Sequence, residues 1–150
     1  MVEHDFKNYP ELTNQQLVNM PFDSPHVQIV EDFDAVVVRV HDGDTITLET
    51  DFRDFIFPLR FLDIDAPEMN AGGEVARDWL RGKILNEKVR IIMDRYQRVG
   101  KYGRLLGRVL HRGLDVGEEE KYLGLAKPFT ARDEGKLPNL DKDFNIGKWF

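Results

Sequence analysis

The sequence predicts a single domain built on a small five-stranded β-barrel with helices, that is, an α+β fold. Three features lead to this prediction. Five short runs are rich in β-branched and other apolar residues, an Asp-Gly dipeptide separates the first two runs, and the hydrophobic period becomes that of a helix between the third and the fourth. A chain of 150 residues is also long enough to bury one hydrophobic core.

The first three strands follow one another closely along the chain. Residues 35–41 and 45–50 are predicted to pair, because Asp42-Gly43 between them is a dipeptide well suited to a tight hairpin turn. The third strand is predicted in FIFPLRFLDI, where Pro58 indicates a sheet edge or a bulge.

A helix is predicted next, in GGEVARDWLRGKILN, with Val75, Trp79 and Ile84 on its apolar face and charges on the other. The runs VRIIMD and GRLLGRVLH predict two further strands. DVGEEEKYLGLA predicts a short helix that ends at Gly124 or before Pro128. The resulting order, β-β-β-α-β-β-α, is typical of a closed barrel of the oligonucleotide-binding type, the OB-fold.

The domain is expected to cover residues 35–129. Residues 1–34 are predicted to be an N-terminal extension with one short helix in LTNQQLVNM, capped by Thr13 or Asn14. Residues 130–150 are polar and turn-rich and are predicted to form a C-terminal tail.

Composition excludes several classes of protein. The hydrophobic fraction of 41% and the charged fraction of 32% are ordinary for a soluble globular protein. No apolar run approaches the roughly 20 residues of a membrane span. No cysteine is available for disulfides or thiolate metal sites. The first ten residues lack the pattern of a secretory signal, so we expect a cytoplasmic protein and leave secretion of a processed form open. A monomer is expected, as the default for one compact domain.

Charge is distributed unevenly along the chain. Residues 1–68 contain 15 Asp or Glu and 4 Lys or Arg, whereas residues 95–112 contain six Lys or Arg and no acid. This asymmetry favours an anionic partner held through a cation or through arginines. The overall charge of −6 argues against a general nucleic-acid coat protein.

Two acidic clusters follow predicted strands. Asp42 and Asp44 flank the hairpin glycine, and Asp65 and Glu68 lie at the exit of the third strand. If the first three strands are neighbours, the two clusters meet at one end of the barrel. Close carboxylates either raise a pKa or recruit a cation, and oxygen ligands favour calcium, magnesium or manganese over zinc.

Arg60 lies within the apolar third strand. Alternation places Arg60 with Leu62 and Ile64 on one face, and Asp63 and Asp65 on the other. A lone guanidinium in such a strand is costly. Two interpretations remain open: an internal salt bridge to one of the carboxylates, or a clamp that holds a phosphate bidentately beside a metal ion.

The segment RYQRVGKYGRLLGRVLHR is basic. Its charges recur every three or four positions, but Gly100 and Gly103 would each cost about 1 kcal/mol inside a helix. A loop followed by a strand is therefore predicted, with Lys101, Tyr102 and Arg104 at the exit of the loop. Such residues suit contacts to phosphates and bases.

Four motifs, VRVHDGDT, RFLDIDAPE, KYGR and GLAKPF, stand in an order that resembles the staphylococcal nuclease family of thermonuclease-like proteins. The resemblance covers about residues 35–129. It is specific, because an arginine five residues before the aspartate of D-x-P-E, with a later KYGR, is seldom accidental. The resemblance implies an OB-fold barrel of staphylococcal nuclease type with calcium at one end. One departure is GEEEKY, which is more acidic than the family's apolar helix start.

The resemblance implies a metal site. Asp44 and Asp65 would bind the ion through their carboxylates, and Ala66 through its backbone carbonyl. Asp42 and Thr45 would support these ligands without binding the ion. The implied cofactor is Ca²⁺, with Mg²⁺ or Mn²⁺ as alternatives.

The resemblance also implies catalytic residues. Arg60 and Arg104 would hold the scissile phosphate, and Glu68 would orient or deprotonate the attacking water. These roles agree with the chemistry of the residues, since hydrolysis of a phosphodiester gathers negative charge that a cation and two guanidiniums would stabilise.

Further residues match the family's contacts to substrate. Lys101 and Tyr102 correspond to contacts with a terminal phosphate of the bound nucleotide, and Phe129 is the nearest match to a stacking tyrosine. The sequence therefore predicts a metal-dependent nuclease acting on DNA, RNA or both. The alternatives are a catalytically inactive OB-fold module that binds nucleic acid or protein, and a barrel that binds calcium for stability alone.

Overall fold

Five strands close into a barrel, which confirms the predicted fold class. The computed structural model describes residues 10–19, 28–100 and 104–129. The helices are α1 (Asn14–Asn19), α2 (Gly73–Ile84) and α3 (Val116–Tyr122). The strands are β1 (Phe33–Asp42), β2 (Thr45–Glu49), β3 (Phe57–Phe61), β4 (Ile64–Asp65), β5 (Lys88–Ile92), β6 (Leu105–His111), β7 (Leu114–Asp115) and β8 (Lys127–Pro128). Barrel neighbours follow the order β3-β2-β1-β5-β6, and a parallel β3–β6 pairing closes the ring.

The β1–β2 hairpin forms at the predicted Asp-Gly turn. Its last pair is Asp42 opposite Thr45. Two irregularities in the register of β1 are of the kind that bend a strand, as a closed barrel requires. On the other side of β2, Thr45 pairs with Arg60 of β3. This register brings Arg60 next to the hairpin turn, although the two are distant in sequence.

Helix α2 covers the barrel with a different face from the one predicted. Its buried residues are Gly73, Ala76, Leu80 and Ile84, whereas Val75 is 63% exposed. The prediction that Val75 belongs to the apolar face was wrong because about two and a half turns separate it from Ile84, so the two side chains leave opposite sides of the helix.

The predicted third strand is interrupted. β3 ends at Phe61, and β4 begins after a turn at Leu62 and Asp63. Asp63 has a φ of 73°, in the left-handed region, so the simple alternation of faces predicted through this segment is wrong. The turn has a consequence for the site, because both residues of β4 are buried and β4 pairs with β8 instead of continuing β3.

The N-terminal extension contains the predicted helix. Thr13 caps it: its Oγ1 accepts from the Gln16 amide at 3.1 Å, and the Gln16 side chain accepts from the Thr13 amide at 2.9 Å. At the other end of the domain, Gly124 follows α3 with a φ of 75°, as predicted for its end. Within the described residues no helix has both the length and the apolar character needed to cross a membrane. The predicted C-terminal tail, residues 130–150, lies outside the described residues, so the domain boundaries stay predictions.

Candidate active site

One end of the barrel carries a cavity of about 580 Å³. The β1–β2 turn, the end of β3 and the segment after β4 form its walls. The acidic residues and arginines that the sequence analysis selected come from distant parts of the chain, and they line this one cavity. The lining residues are Asp42, Asp44, Thr45, Arg60, Asp65, Ala66, Pro67, Glu68, Met69, Asn70 and Arg104.

The hairpin turn holds the Asp44 carboxylate in place. The Asp42 side chain accepts from the Asp44 amide at 3.1 Å, and the Thr45 hydroxyl donates to Asp44 Oδ1 at 3.1 Å. The Ala66 amide donates to Asp44 Oδ2 at 2.9 Å. Gly43 is needed between the two acids, because a Cβ there would approach that of Ala66 to 2.7 Å. The turn sequence thus orients one carboxylate towards the exit of β3.

Arg60 lies between the two predicted metal ligands. Its Nη2 is 3.3 Å from Asp44 Oδ2 and 3.3 Å from Asp65 Oδ1. Its Nη1 donates to the carbonyls of Phe61 at 3.1 Å and Ile64 at 3.2 Å. The internal salt bridge, one of the two interpretations of Arg60, is therefore formed, and it joins both carboxylates at one nitrogen atom.

The two hairpin acids have opposite pKa shifts. Burial raises the pKa of Asp44, but the Arg60 guanidinium and hydrogen bonds from its neighbours outweigh burial and hold the pKa below its usual range. Burial, followed by the charge of Asp44, raises the pKa of Asp42 to about 6. The site therefore keeps one aspartate ionised and leaves its neighbour to titrate near neutrality.

The residues with predicted catalytic roles reach the cavity from two sides. Glu68 is exposed and follows β4, and its carbonyl accepts from the amides of Ala71 and Gly73, each at 2.9 Å. Arg104 immediately precedes β6 and is partly exposed. Lys101 and Tyr102 lie outside the described residues, so their predicted contacts to substrate stay predictions.

Phe129 and Asp63 have partners that the sequence did not predict. The Phe129 ring lies over the Arg60 guanidinium, 5.4 Å from its carbon to the ring centroid, and the Phe129 amide donates to the Asp63 carbonyl at 2.9 Å. The Asp63 carboxylate pairs with Arg108. Phe129 thus packs on a predicted phosphate clamp, whereas Asp63 pairs with Arg108 and is not among the residues that line the cavity.

Glu120 is a buried acid that sequence reasoning missed. Its side chain has no exposed surface, and neither carboxylate oxygen has a hydrogen-bond partner among the described residues. Burial, followed by the charges of Asp44 and Asp42, raises the pKa of Glu120 to about 9. A Cβ at Gly43 would lie 3.4 Å from Glu120 Oε1, so this acid sits behind the hairpin turn. The sequence feature that could have indicated a buried acid is GEEEKY, because three successive glutamates on a short helix cannot all lie on its exposed face.

The donor set fits a hard divalent cation. No group of three acidic or histidine side chains among the described residues converges as a metal site. Asp44 and Asp65 nevertheless meet at Arg60, whose single positive charge does not balance two carboxylates. Buried oxygen donors with a surplus of negative charge suit Ca²⁺, Mg²⁺ or Mn²⁺.

Comparison with known proteins shows the family of the chain. A family model described as "Staphylococcal nuclease homologue" matches residues 58–143. The chain belongs to the staphylococcal nuclease family. The chain is 31% identical over 126 residues to a protein named "Thermonuclease" from Staphylococcus hyicus, covering 79% of this chain and 70% of that protein. It is 32% identical over 111 residues to "Thermonuclease" of Staphylococcus intermedius, covering 69% of this chain and 61% of that protein.

Family membership confirms the resemblance inferred from the four motifs. The family match begins at Pro58, inside β3, and so includes Arg60, Asp65, Glu68 and Arg104. The roles of these residues in this chain stay predictions.

Proposed function

We propose that this protein is a nuclease, a hydrolase that cleaves phosphodiester bonds of DNA, RNA or both with the help of a divalent cation, most suitably calcium. One observation supports it above all others. The two predicted metal ligands, both predicted phosphate-binding arginines and the predicted general base line one cavity at the end of the barrel: Asp44, Asp65, Arg60, Arg104 and Glu68. The relatives named thermonuclease support the same class of reaction.

Each group has a distinct task in this proposal. Asp44, Asp65 and the Ala66 carbonyl would hold the cation, which when bound supplies positive charge for a phosphate oxygen. Arg104 and Arg60 would bind the remaining phosphate oxygens, where negative charge grows in the transition state. Asp42 and Thr45 orient Asp44 through the hydrogen bonds of the hairpin turn.

Glu68 would act on the nucleophile. Its side chain is exposed in the cavity and so is accessible to a water molecule. A carboxylate within hydrogen-bond reach of that water accepts its proton as the water oxygen forms a bond to phosphorus and the ester P–O bond breaks. The departing oxygen then leaves with a proton from solvent.

One observation favours the binding module as a second candidate. Arg60 donates to four acceptors within the protein, namely two carboxylates and two carbonyls. These bonds come from Nη1 and Nη2, so a phosphate that takes a bidentate pair of bonds from Arg60 must replace at least one of them. A protein that keeps Arg60 in its internal contacts would bind nucleic acid or protein at this end without cleaving it.

Cleavage assays separate the two candidates. We expect the wild-type protein to cleave single-stranded DNA with calcium and to stop when the cation is chelated. Glu68→Gln and Arg104→Ala should each lower kcat at least about a hundredfold, the typical effect of removing one transition-state contact. Glu74→Gln and Arg81→Ala, which change exposed residues of α2 outside the cavity, serve as matched controls and should retain activity.

The outcomes have clear meanings. Absence of cleavage by the wild type in calcium, magnesium and manganese would favour the binding module. Cleavage that survives both substitutions would place the active site elsewhere. Metal binding is tested separately by the melting temperature: calcium should raise it for the wild type and for Glu68→Gln but not for Asp65→Asn, because a ligand of the folded state stabilises that state.

A further inference from the structure

A second cluster of buried charge lies outside the cavity. Glu11 of the N-terminal extension is 1% exposed and pairs with two arginines, Arg53 from the β2–β3 connection and Arg98 from the segment before β6. We call these three residues the Glu11 cluster. None of them lines the cavity. A buried charge cluster is seldom the most stabilising arrangement for a fold, because apolar residues of similar volume often give the same or a higher free energy of unfolding.

Arg98 joins the N-terminal extension to the barrel. Its Nη2 donates to Glu11 Oε1 at 2.7 Å, and its Nε donates to the Ile29 carbonyl at 2.7 Å. Its Nη1 donates to the Leu12 carbonyl at 2.9 Å and to Asn14 Oδ1 at 3.2 Å. Four acceptors of the N-terminal extension thus hold one guanidinium, and Arg98 is 2% exposed.

The backbone of Arg98 leads directly to the site. Its carbonyl accepts from the Leu106 amide at 2.8 Å, and the Gly100 amide donates to the Arg104 carbonyl at 2.8 Å. Val99 and Leu105 form an antiparallel bridge between these two bonds. This short ladder of residues 98–100 and 104–106 sets the position of the backbone that carries Arg104.

We propose that Glu11 is a positioning residue: acting through Arg98 and this ladder, it holds Arg104 at the edge of the cavity. The inference rests on the proposed function, in which Arg104 binds the scissile phosphate. Glu11 touches no residue of the cavity in the contacts described above, and of its two arginine partners Arg98 is the one whose backbone pairs with the segment that carries Arg104. The N-terminal extension then contributes to catalysis although it lies outside the predicted domain of residues 35–129.

A double-mutant cycle provides the first test. Glu11→Gln should lower kcat about tenfold at saturating metal and substrate, because even a small displacement of Arg104 from the phosphate would lower the rate of the chemical step. In the Arg104→Ala background the same change should lower kcat less than about twofold, because residues that act as one unit are not additive. A merely structural role would lower kcat by the same factor in both backgrounds, and that result would overturn the proposal.

Hydrogen exchange provides a test that needs no activity. In Glu11→Gln, the amides of Leu106 and Gly100 should exchange about tenfold faster, while amides of the β1–β2 ladder keep their wild-type rates. Unchanged protection at Leu106, or an equal loss across the whole barrel, would overturn the proposal. If the wild type cleaves nothing, the nuclease proposal fails, and the exchange result still decides whether Glu11 orders this ladder.

Two further variants complete the design. Asn14→Ala removes one acceptor of Arg98 and one bond to the Arg95 carbonyl but keeps Glu11 and its ion pairs, so it should fold even if Glu11→Gln does not, and it should produce the same pattern at smaller amplitude. Asp34→Asn breaks an exposed ion pair with Arg90 and is the matched control. It should leave kcat and the exchange rate of Leu106 unchanged. Wild-type behaviour of Asn14→Ala in both kcat and exchange, with Glu11→Gln unfolded, would count against the proposal.

Discussion

Glu120 should make the folded protein lose stability as the pH rises. In the unfolded chain this glutamate has the ordinary pKa of 4.5, whereas burial, assisted by the charges of Asp44 and Asp42, raises the folded pKa to about 9. Between these values the folded state holds a proton that the unfolded state has released. The free energy of unfolding should therefore fall by about 1.4 kcal/mol per pH unit from this group, which amounts to about 3 kcal/mol at pH 7.

Replacement by an uncharged side chain should remove this dependence. Glu120→Gln keeps the shape and should abolish the slope, and Glu120→Leu should also avoid burying polar atoms that lack partners. Both variants should therefore exceed the wild type in stability by about 3 kcal/mol at pH 7, and the difference should shrink towards pH 5.

Urea unfolding at pH 5, 6, 7 and 8, with a chelator to exclude bound cations, measures this difference directly. Glu118→Gln removes an exposed carboxylate of the same helix, so its effect should stay below about 1 kcal/mol at every pH. If the difference in the free energy of unfolding between wild type and Glu120→Gln does not change with pH, Glu120 is ionised in the folded protein, which would contradict its burial without a partner.

Two further predictions concern the hairpin turn and the site. Gly43→Ala should destabilise the fold by about 1–3 kcal/mol, because the new Cβ would lie 2.7 and 2.8 Å from the Cβ atoms of two alanines. Gly82→Ala, in α2 with open space around it, should instead stabilise the fold by about 0.5–1 kcal/mol. Urea unfolding measures both changes. Calcium affinity, measured by calorimetry, should weaken as the pH falls through about 6, where Asp42 gains a proton and its charge beside Asp44 is lost. Asp42→Asn should flatten this dependence, and an unchanged pH profile in that variant would assign the titration to another group.

Much of the fold could be predicted from short-range patterns. The Asp-Gly turn, the five strands and the capping of α1 by Thr13 each depend on a few neighbouring residues, and the structure has all of them, although the third strand ends earlier than predicted, at Phe61. The family could also be predicted, because its motifs are short and keep their order. The gathering of Asp44, Asp65 and Arg60 followed from the assumption that the first three strands are neighbours, which the register of β1, β2 and β3 satisfies.

Other features depended on contacts between distant segments. Helical periodicity alone separates Val75 from Ile84, but which of the three successive glutamates of α3 is buried depends on the elements that cover the helix. The turn at Asp63 was missed because the apolar residues around it match a continuous strand, although aspartate is one of the residues that adopt the left-handed region.

Local chemistry along the chain was enough to specify the strands, the hairpin turn and the presence of carboxylates and arginines suited to a phosphate and a cation. It could not specify that Arg60 would pair with both aspartates, or that Glu11 from outside the predicted domain would pair with Arg98. Pairings of this kind join residues between 5 and 87 positions apart, and burial makes their strength depend on the whole surrounding fold. Turn and strand preferences act between neighbours in sequence, whereas buried charges find their partners only when the chain is packed.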